Sequence, residues 1–350
     1  MKGWAIVGAI ILSCTLAWGF PVLPLVSTPD YPAYLATIPQ LLGEAEARIW
    51  VALSDCRRYP GGDTDPLLSA LVDAAGRGVG VRVLLERREE KPLGEQLAAF
   101  SYLDQAGVEV AWDDPRVTLH SKLLLIDDWT VVGSTHWTKS ALQFSVQVDL
   151  AIRSPALAGL AKEFLDWLWS GELAGVEAEL PLEGWPAGAV LPLFDLPEAG
   201  IHTKVLPRLL SRAQTTVDLV MYRLAYYPQY PDSPSNALVD GLVSALRRGV
   251  RVRVLLEGGE DFPDLAESNR LTASYLSLYG AEVRLDPPGL TTHAKCMVID
   301  GRDVAVSSAN WSYYSLAKNV EAGVAFLDAP ALAARLLTAF DALWKGATSP

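Results

Sequence analysis

The chain of 350 residues states much of itself twice. AAGRGVGVRVLLE at Ala74–Glu86 returns as ALRRGVRVRVLLE at Ala245–Glu257, and GVEVAWD at Gly107–Asp113 returns as GAEVRLD at Gly280–Asp286. The segment that opens HSKLLLIDDWTVVGSTHW at His120 reappears as HAKCMVIDGRDVAVSSANW at His293–Trp311. SPALAGLAKEFLDWLWSG at Ser154–Gly171 is echoed by APALAARLLTAFDALWKG at Ala329–Gly346. The displacements run only from 171 to 175 residues. Solenoid units span about 20–45 residues, so a period this long is a duplicated domain. Two homologous lobes in a pseudo-twofold pair are therefore expected, at residues 26–178 and 201–350. The Pro/Gly-rich stretch 179–200 reads as their linker.

Each copy reads as alternating strands and helices. A first helix ends near Ala47 or Gln214, and RIWVALS or TVDLVMY follows as a buried strand. A helix with a glycine end (Gly78, Gly249) leads into VRVLLE, and a further helix ends at Gly107 or Gly280 before a third strand. The histidine strand and its partner, TVVGST or DVAVSS, come next. The closing helix begins at Pro155 or Pro330, where the missing N–H costs nothing. This alternation predicts an α/β fold with layers around a largely buried sheet.

With 29 basic against 41 acidic side chains the net charge is −12, which argues against a general phosphate-backbone binder. Cys14, Cys56 and Cys296 show no metal spacing, so they read as unpaired and neither a metal site nor a cofactor is expected. The opening MKGWAIVGAIILSCTLAWGF carries one cation, Lys2, and then no charge until Asp30. Residues 1–25 thus read as a signal peptide, with Ala17-Trp18-Gly19 as a cleavage site, or as an uncleaved membrane anchor. The expectation is an exported chain, secreted, periplasmic or anchored through that segment.

The duplication also repeats a chemistry. His120, Lys122 and Asp127 recur as His293, Lys295 and Asp300, while the residues between them changed as core residues do. Period-2 geometry puts each histidine and lysine on one strand face. A lone histidine on an apolar strand is usually a packed core residue, but packing does not require an imidazole and a cation twice. A neutral imidazole is a competent nucleophile and an acid or base near neutral pH. Two lysines, with Ser134, Ser308 and Asn310 downstream, suit a tetrahedral phosphoryl group. Two histidines facing across it would form an acid/base pair with roles split by environment.

These residues resemble the phospholipase D superfamily, whose H-x-K-x4-D signature stands in both copies. The resemblance implies two lobes, each a mixed sheet flanked by helices, with the active site between them. It also implies a metal-free reaction through a phosphohistidine. His120, Lys122, His293 and Lys295 would be catalytic, with His120 as nucleophile and His293 as acid in the family's usual order. Asp149 and Glu321 would orient the histidines. Ser134, His136, Ser308 and Asn310 would hold the phosphate, and Asp127 and Asp300 would be structural. The first copy departs from the second: His136 stands for Asn310, Asp149 for Glu321, Gln147 for Asn319, and Gly133 for Ser307. His202 forms an HTK with no following aspartate and is read as outside the site.

The motif leaves the phosphodiester open. Arg57, Arg58, Arg87, Arg88 and Lys91 suggest an anion-attracting rim, and Tyr226, Tyr227 and Tyr230 suit a lipid–water interface or base stacking. The leading expectation is a phospholipase D-type hydrolase releasing phospholipid head groups at a membrane surface. The alternatives are an extracytoplasmic endonuclease, disfavoured by net charge, and a catalytically silent anion-binding module; a phospholipid transferase is expected less, because the chain offers only one possible membrane segment. With both motifs in one chain, no oligomer is required.

Overall fold

The computed structural model describes residues 19–87, 94–171, 184–259 and 262–350. Arg88, Lys91, Cys14 and the leader's cleavage site lie outside them.

Two sheets have the same strand order. In the first it is Val22–Ser27, Ser145–Arg153, Trp129–Gly133, Lys122–Ile126, Arg48–Leu53, Gly80–Leu85, Glu109–Trp112. In the second it is Val190–Pro192, Gly323–Phe326, Asp303–Ser307, Lys295–Ile299, Thr216–Met221, Arg251–Leu256, Glu282–Leu285. The last three strands of each run are parallel, and the rest pair antiparallel. Both sheets are therefore mixed, as the resemblance implied.

Period-2 alternation sorts the motif strands between two cores. Leu123 and Leu125 face one core, and Leu124 and Ile126 face another. In the second lobe Cys296 and Val298 point one way, Met297 and Ile299 the other. Cys296, Val298, Val306 and Val324 share a core with Leu123, Val132 and Leu150, so the two sheets meet face to face. The outer face of each is covered by its own lobe's helices. Continuous apolar strands follow from this burial on both faces. Cys56 and Cys296 are buried free thiols.

The edge strands were not legible. Val22–Ser27 pairs with Ser145–Arg153, although its residues fall largely inside the segment read as a leader. Val190–Pro192, inside the expected linker, pairs with Gly323–Phe326. Leu25 pairs opposite Asp149 there and is itself buried.

Asp127 and Asp300 sit at left-handed φ of 48° and 54°, at the turn after each motif strand. The Asp127 carboxylate accepts from the amides of Glu46, Ala47 and Arg48 at 2.8–2.9 Å. Asp300 accepts from the amides of Gln214, Thr215 and Thr216. Each aspartate ties the turn to the start of the neighbouring strand, on the side away from the histidine.

Candidate active site

The two lobes exchange short strands to build the cleft. Thr118–Leu119 pairs with Asn319–Val320, and Thr291–Thr292 pairs with Ser145–Val146. The next amide continues each pairing: His120 N donates to Val320 O and His293 N to Val146 O, both at 2.9 Å. Each motif histidine is thereby held against the other lobe.

His120 Nδ1 lies 2.9 Å from both carboxylate oxygens of Glu321. Its Nε2 accepts from Lys122 Nζ at 3.2 Å. These partners assign the proton to Nδ1 and leave the Nε2 lone pair toward the cleft. His293 repeats the pattern with Lys295 Nζ at 3.1 Å from Nε2. Its Nδ1, however, meets the Gln147 side-chain oxygen at 3.2 Å and the Ser134 carbonyl at 3.1 Å. Both lysines are buried, and both histidines are partly exposed.

Electrostatics follow from this crowding of cations. Burial lowers His120 to about 4, with Lys122 and Lys295 adding to the drop and Glu321 opposing it. Burial and then Lys295, Lys122 and His120 hold His293 well below the ordinary imidazole range. Burial, then Lys122, pushes Lys295 down as well. Burial works to raise Glu321, but His120, Lys122 and the Ser308 hydroxyl outweigh it and hold the carboxyl at about 2. The cleft thus gathers cationic groups that lower one another.

The expected orienting role of Asp149 does not hold. Its carboxylate accepts from Thr135 N at 3.1 Å and from Thr135 Oγ1 at 2.5 Å. Burial raises it to about 6. Strand register shows why: Gly133 pairs with Asp149, and Ser307 pairs with Gly323. The counterpart of Asp149 is therefore Gly323, and that of Glu321 is Gln147. The pairs are swapped in size, since a Cβ on Gly133 would lie 2.5 Å from the Asp149 Cα, and one on Gly323 would lie 2.8 Å from the Ser307 Cβ.

Ser134 and Ser308 also differ from expectation. Both are fully buried, and each hydroxyl donates to the group behind a histidine, Gln147 at 2.7 Å and Glu321 at 2.5 Å. Each also accepts a backbone amide, from Val148 and Ala322. With the single O–H of each already donated, they position Gln147 and Glu321 and have no proton to offer a phosphate. A signal was present in the sequence: Ser134–Gln147 and Ser308–Glu321 are both 13 residues apart.

His136 does reach the cleft. The His136 ring lies 6.1 Å from His120 and 5.0 Å from His293, with Nδ1 on Ser54 Oγ at 2.9 Å. Asn310 Oδ1 is buried without a protein partner. Tyr222, which sequence reasoning missed, packs its ring 4.6 Å from the His293 ring at a 59° tilt and lies under Lys295 Nζ at 5.0 Å. His202 stays out of the cleft, fully buried between Asp195 Oδ2 at 2.9 Å and Ser307 Oγ at 2.7 Å. Asp195 exchanges backbone hydrogen bonds with Glu321, so this relay braces the strand that carries the carboxylate.

A family profile described as "Cardiolipin synthase, PLD-like domain" matches residues 38–169 and again 206–344. The chain belongs to the phospholipase D superfamily. It is 25% identical over 295 residues to cardiolipin synthase B of Salmonella typhi, covering 75% of this chain and 67% of that protein. It is 25% identical over 323 residues to cardiolipin synthase B of Escherichia coli strain K12, covering 84% and 74%. Phosphatidylserine synthase of Haemophilus influenzae Rd KW20 superposes with a TM-score of 0.74 at 17% identity, over 95% of this chain and 89% of that one. That last likeness shows the fold.

Superfamily membership makes this an enzyme of phosphodiester chemistry; the expected localisation is corrected on other grounds. The described end of the apolar N-terminal run is not a membrane helix but the sheet strand Val22–Ser27. Among the described residues no helix is long and apolar enough to cross a membrane. The relatives that span most of the chain carry the name cardiolipin synthase B. An exported chain anchored through residues 1–25 is not what these findings support.

Proposed function

We propose that this chain moves the phosphatidyl group of a phospholipid, through a phosphohistidine on His120, to an alcohol acceptor, with water as the competing acceptor. The observation that carries the reading is the pair of His–Lys units at one cleft, in each of which a lysine Nζ lies on Nε2, the ring nitrogen that meets the phosphorus once the lysine turns to the phosphate. His120 Nε2 forms the P–N bond as the P–O bond to the head group breaks, and His293 gives its proton to the departing oxygen. His293 then takes the proton of the acceptor hydroxyl, whose oxygen attacks phosphorus and releases His120. The anionic diester beside Lys122 and Lys295 offsets their charge and lets His293 carry its proton.

The unequal partners support this division. Positive charge grows on the attacking imidazole, where the Glu321 carboxylate stabilises it. The same carboxylate behind the acid would hold back the proton, and Gln147 is neutral. His136 and Asn310 are the proposed phosphate contacts beside the lysines. Transfer is favoured over the expected hydrolysis because the relatives that span most of the chain are named synthases.

The endonuclease reading is weakened by the rim. Arg57 is paired with Asp55 at 2.9 Å, and Arg58 meets Asp65 at 3.2 Å while stacking on Tyr102. The test is incubation with phosphatidylglycerol vesicles in EDTA, with glycerol release and new diphosphatidyl lipid followed together. Both products should appear, and His120→Ala or His293→Ala should lower them by on the order of 10³-fold. Head-group release without transfer would return the protein to the hydrolases. Cleavage of single-stranded DNA with the same mutant dependence would overturn the lipid assignment.

A further inference from the structure

Behind each motif histidine lies a pair of buried carboxyls that the proposed chemistry does not use. Glu86 follows the strand Gly80–Leu85 and Asp113 follows Glu109–Trp112; Glu257 and Asp286 hold the same places in the second lobe. All four are at most 8% exposed. Thr292 N donates to both members of its pair, Glu257 Oε2 at 2.5 Å and Asp286 Oδ2 at 2.8 Å. Gly258 N donates to Asp286 Oδ1 at 2.6 Å and Gly259 N to Glu257 Oε1 at 3.0 Å. In the first lobe Leu119 N donates to Glu86, and Arg87 N donates to Asp113 at 2.7 Å.

What these pairs hold is specific. Leu119 and Thr292 immediately precede His120 and His293. One residue later the chain is tied to the other lobe, through His120 N to Val320 O and His293 N to Val146 O. Consecutive amides are thus anchored to different lobes, and each carboxyl pair is the home-lobe end of that joint. Two carboxyls this close and this buried cannot both be ionised at neutral pH. Burial first, and then Asp286, pushes Glu257 up to about 8, and burial likewise raises Asp113. Tyr222 and Lys295 are the other titratable groups that feel Glu257, and the Tyr222 ring packs against His293.

We propose that Glu86–Asp113 and Glu257–Asp286 are positioning pairs: each, by sharing one proton, latches the amide before a motif histidine to its own lobe and so sets that imidazole against the opposite one. Loss of the shared proton leaves two like charges on one amide, and the latch and the Tyr222–His293 contact move apart. The role in turnover rests on the reading above; the placement of the imidazole does not.

Glu257→Gln removes the titrating proton while its oxygen still accepts from Thr292; its NH2 then faces the Gly259 amide, so that one backbone bond is given up. The full chain, labelled with 13C at histidine Cε1, has four resonances to assign by substitution. The His293 resonance should show an inflection near pH 8 that Glu257→Gln abolishes. With bis(p-nitrophenyl) phosphate as probe, wild-type kcat should fall on the same alkaline limb, and Glu257→Gln should move that limb up by about one pH unit or more. Glu257→Ala should lower neutral-pH kcat by about tenfold with KM nearly unchanged, as a misplaced reacting group does. Where Glu257→Ala does not fold, Asp286→Asn takes its place beside Glu257→Gln. An inflection that persists in Glu257→Gln overturns the proposal, as does wild-type kcat in Glu257→Ala. A wild-type chain that shows the inflection but cleaves no diester overturns the functional reading and leaves the latch standing.

Discussion

His120 meets a carboxylate and His293 an amide, although the two imidazoles hold matching places just ahead of duplicated strands. The difference is one side-chain group, Glu321 against Gln147, and it makes the pseudo-symmetric cleft chemically directional. Glu321 raises His120 against the burial and the two lysines that lower it. In the free enzyme His120 is neutral above about pH 4, so protonation of the nucleophile should bring kcat/KM down only as pH falls toward that value. Glu321→Gln removes the raising influence, so the acid limb should move to still lower pH. The same change should cut kcat by about 10²-fold or more, because the charge growing on His120 loses its counterion. A pH–rate profile of both proteins on one soluble diester checks this; a limb that moves upward would show that Glu321 does not act on His120. Ser134 and Ser308 belong to the same scale: the chemistry expected of their hydroxyls is taken up by Gln147 and Glu321.

Among the elements, each motif strand carries two unrelated tasks at its two ends. Its first residue is the lysine, which faces the cleft with the histidine just ahead of the strand, and the turn after it is set by Asp127 or Asp300 in a left-handed conformation. Burial works against the charged form of Asp300, but the amides of Thr216, Thr215 and Gln214 outweigh it and keep the carboxyl below its usual range. Asp300→Ala loses these acceptors and puts alanine at positive φ, so it should destabilise the chain by about 2 kcal/mol. A depressed carboxyl contributes above the unfolded carboxylate range, so the gap from wild type should narrow as pH falls through that range. Thermal unfolding at pH 7 and pH 3 measures both effects. Turnover of the folded mutant at low temperature should match wild type; a loss comparable to His293→Ala would place Asp300 in the chemistry after all.

At the scale of the whole molecule, neither lobe contains a complete site. His120 depends on Glu321 and Val320 of the second lobe, and His293 depends on Gln147 and Val146 of the first. The face-to-face core between the sheets supplies the rigidity that keeps these pairs in register. Because one chain supplies both halves, specific activity should not change with protein concentration. Mixing inactive His120→Ala with inactive His293→Ala should restore nothing. Recovered turnover in the mixture would mean that lobes pair between chains.

The duplication, the strand–helix alternation and the two His-x-Lys units follow from the sequence alone, because each is a local pattern and the second copy confirms the first. The orienting groups did not. Aligning QVD with NVE made Asp149 the counterpart of Glu321, yet hydrogen-bonded register makes it the counterpart of Gly323. Gln147 and Asp149 are two residues apart and lie on the same strand face, so periodicity cannot tell which one meets His293. The edge strands were hidden for a related reason, since an apolar run and a Pro/Gly stretch become strands only when a neighbouring edge offers unpaired backbone. Only the tertiary structure decided who stands behind each histidine, because each of those partners comes from the opposite lobe.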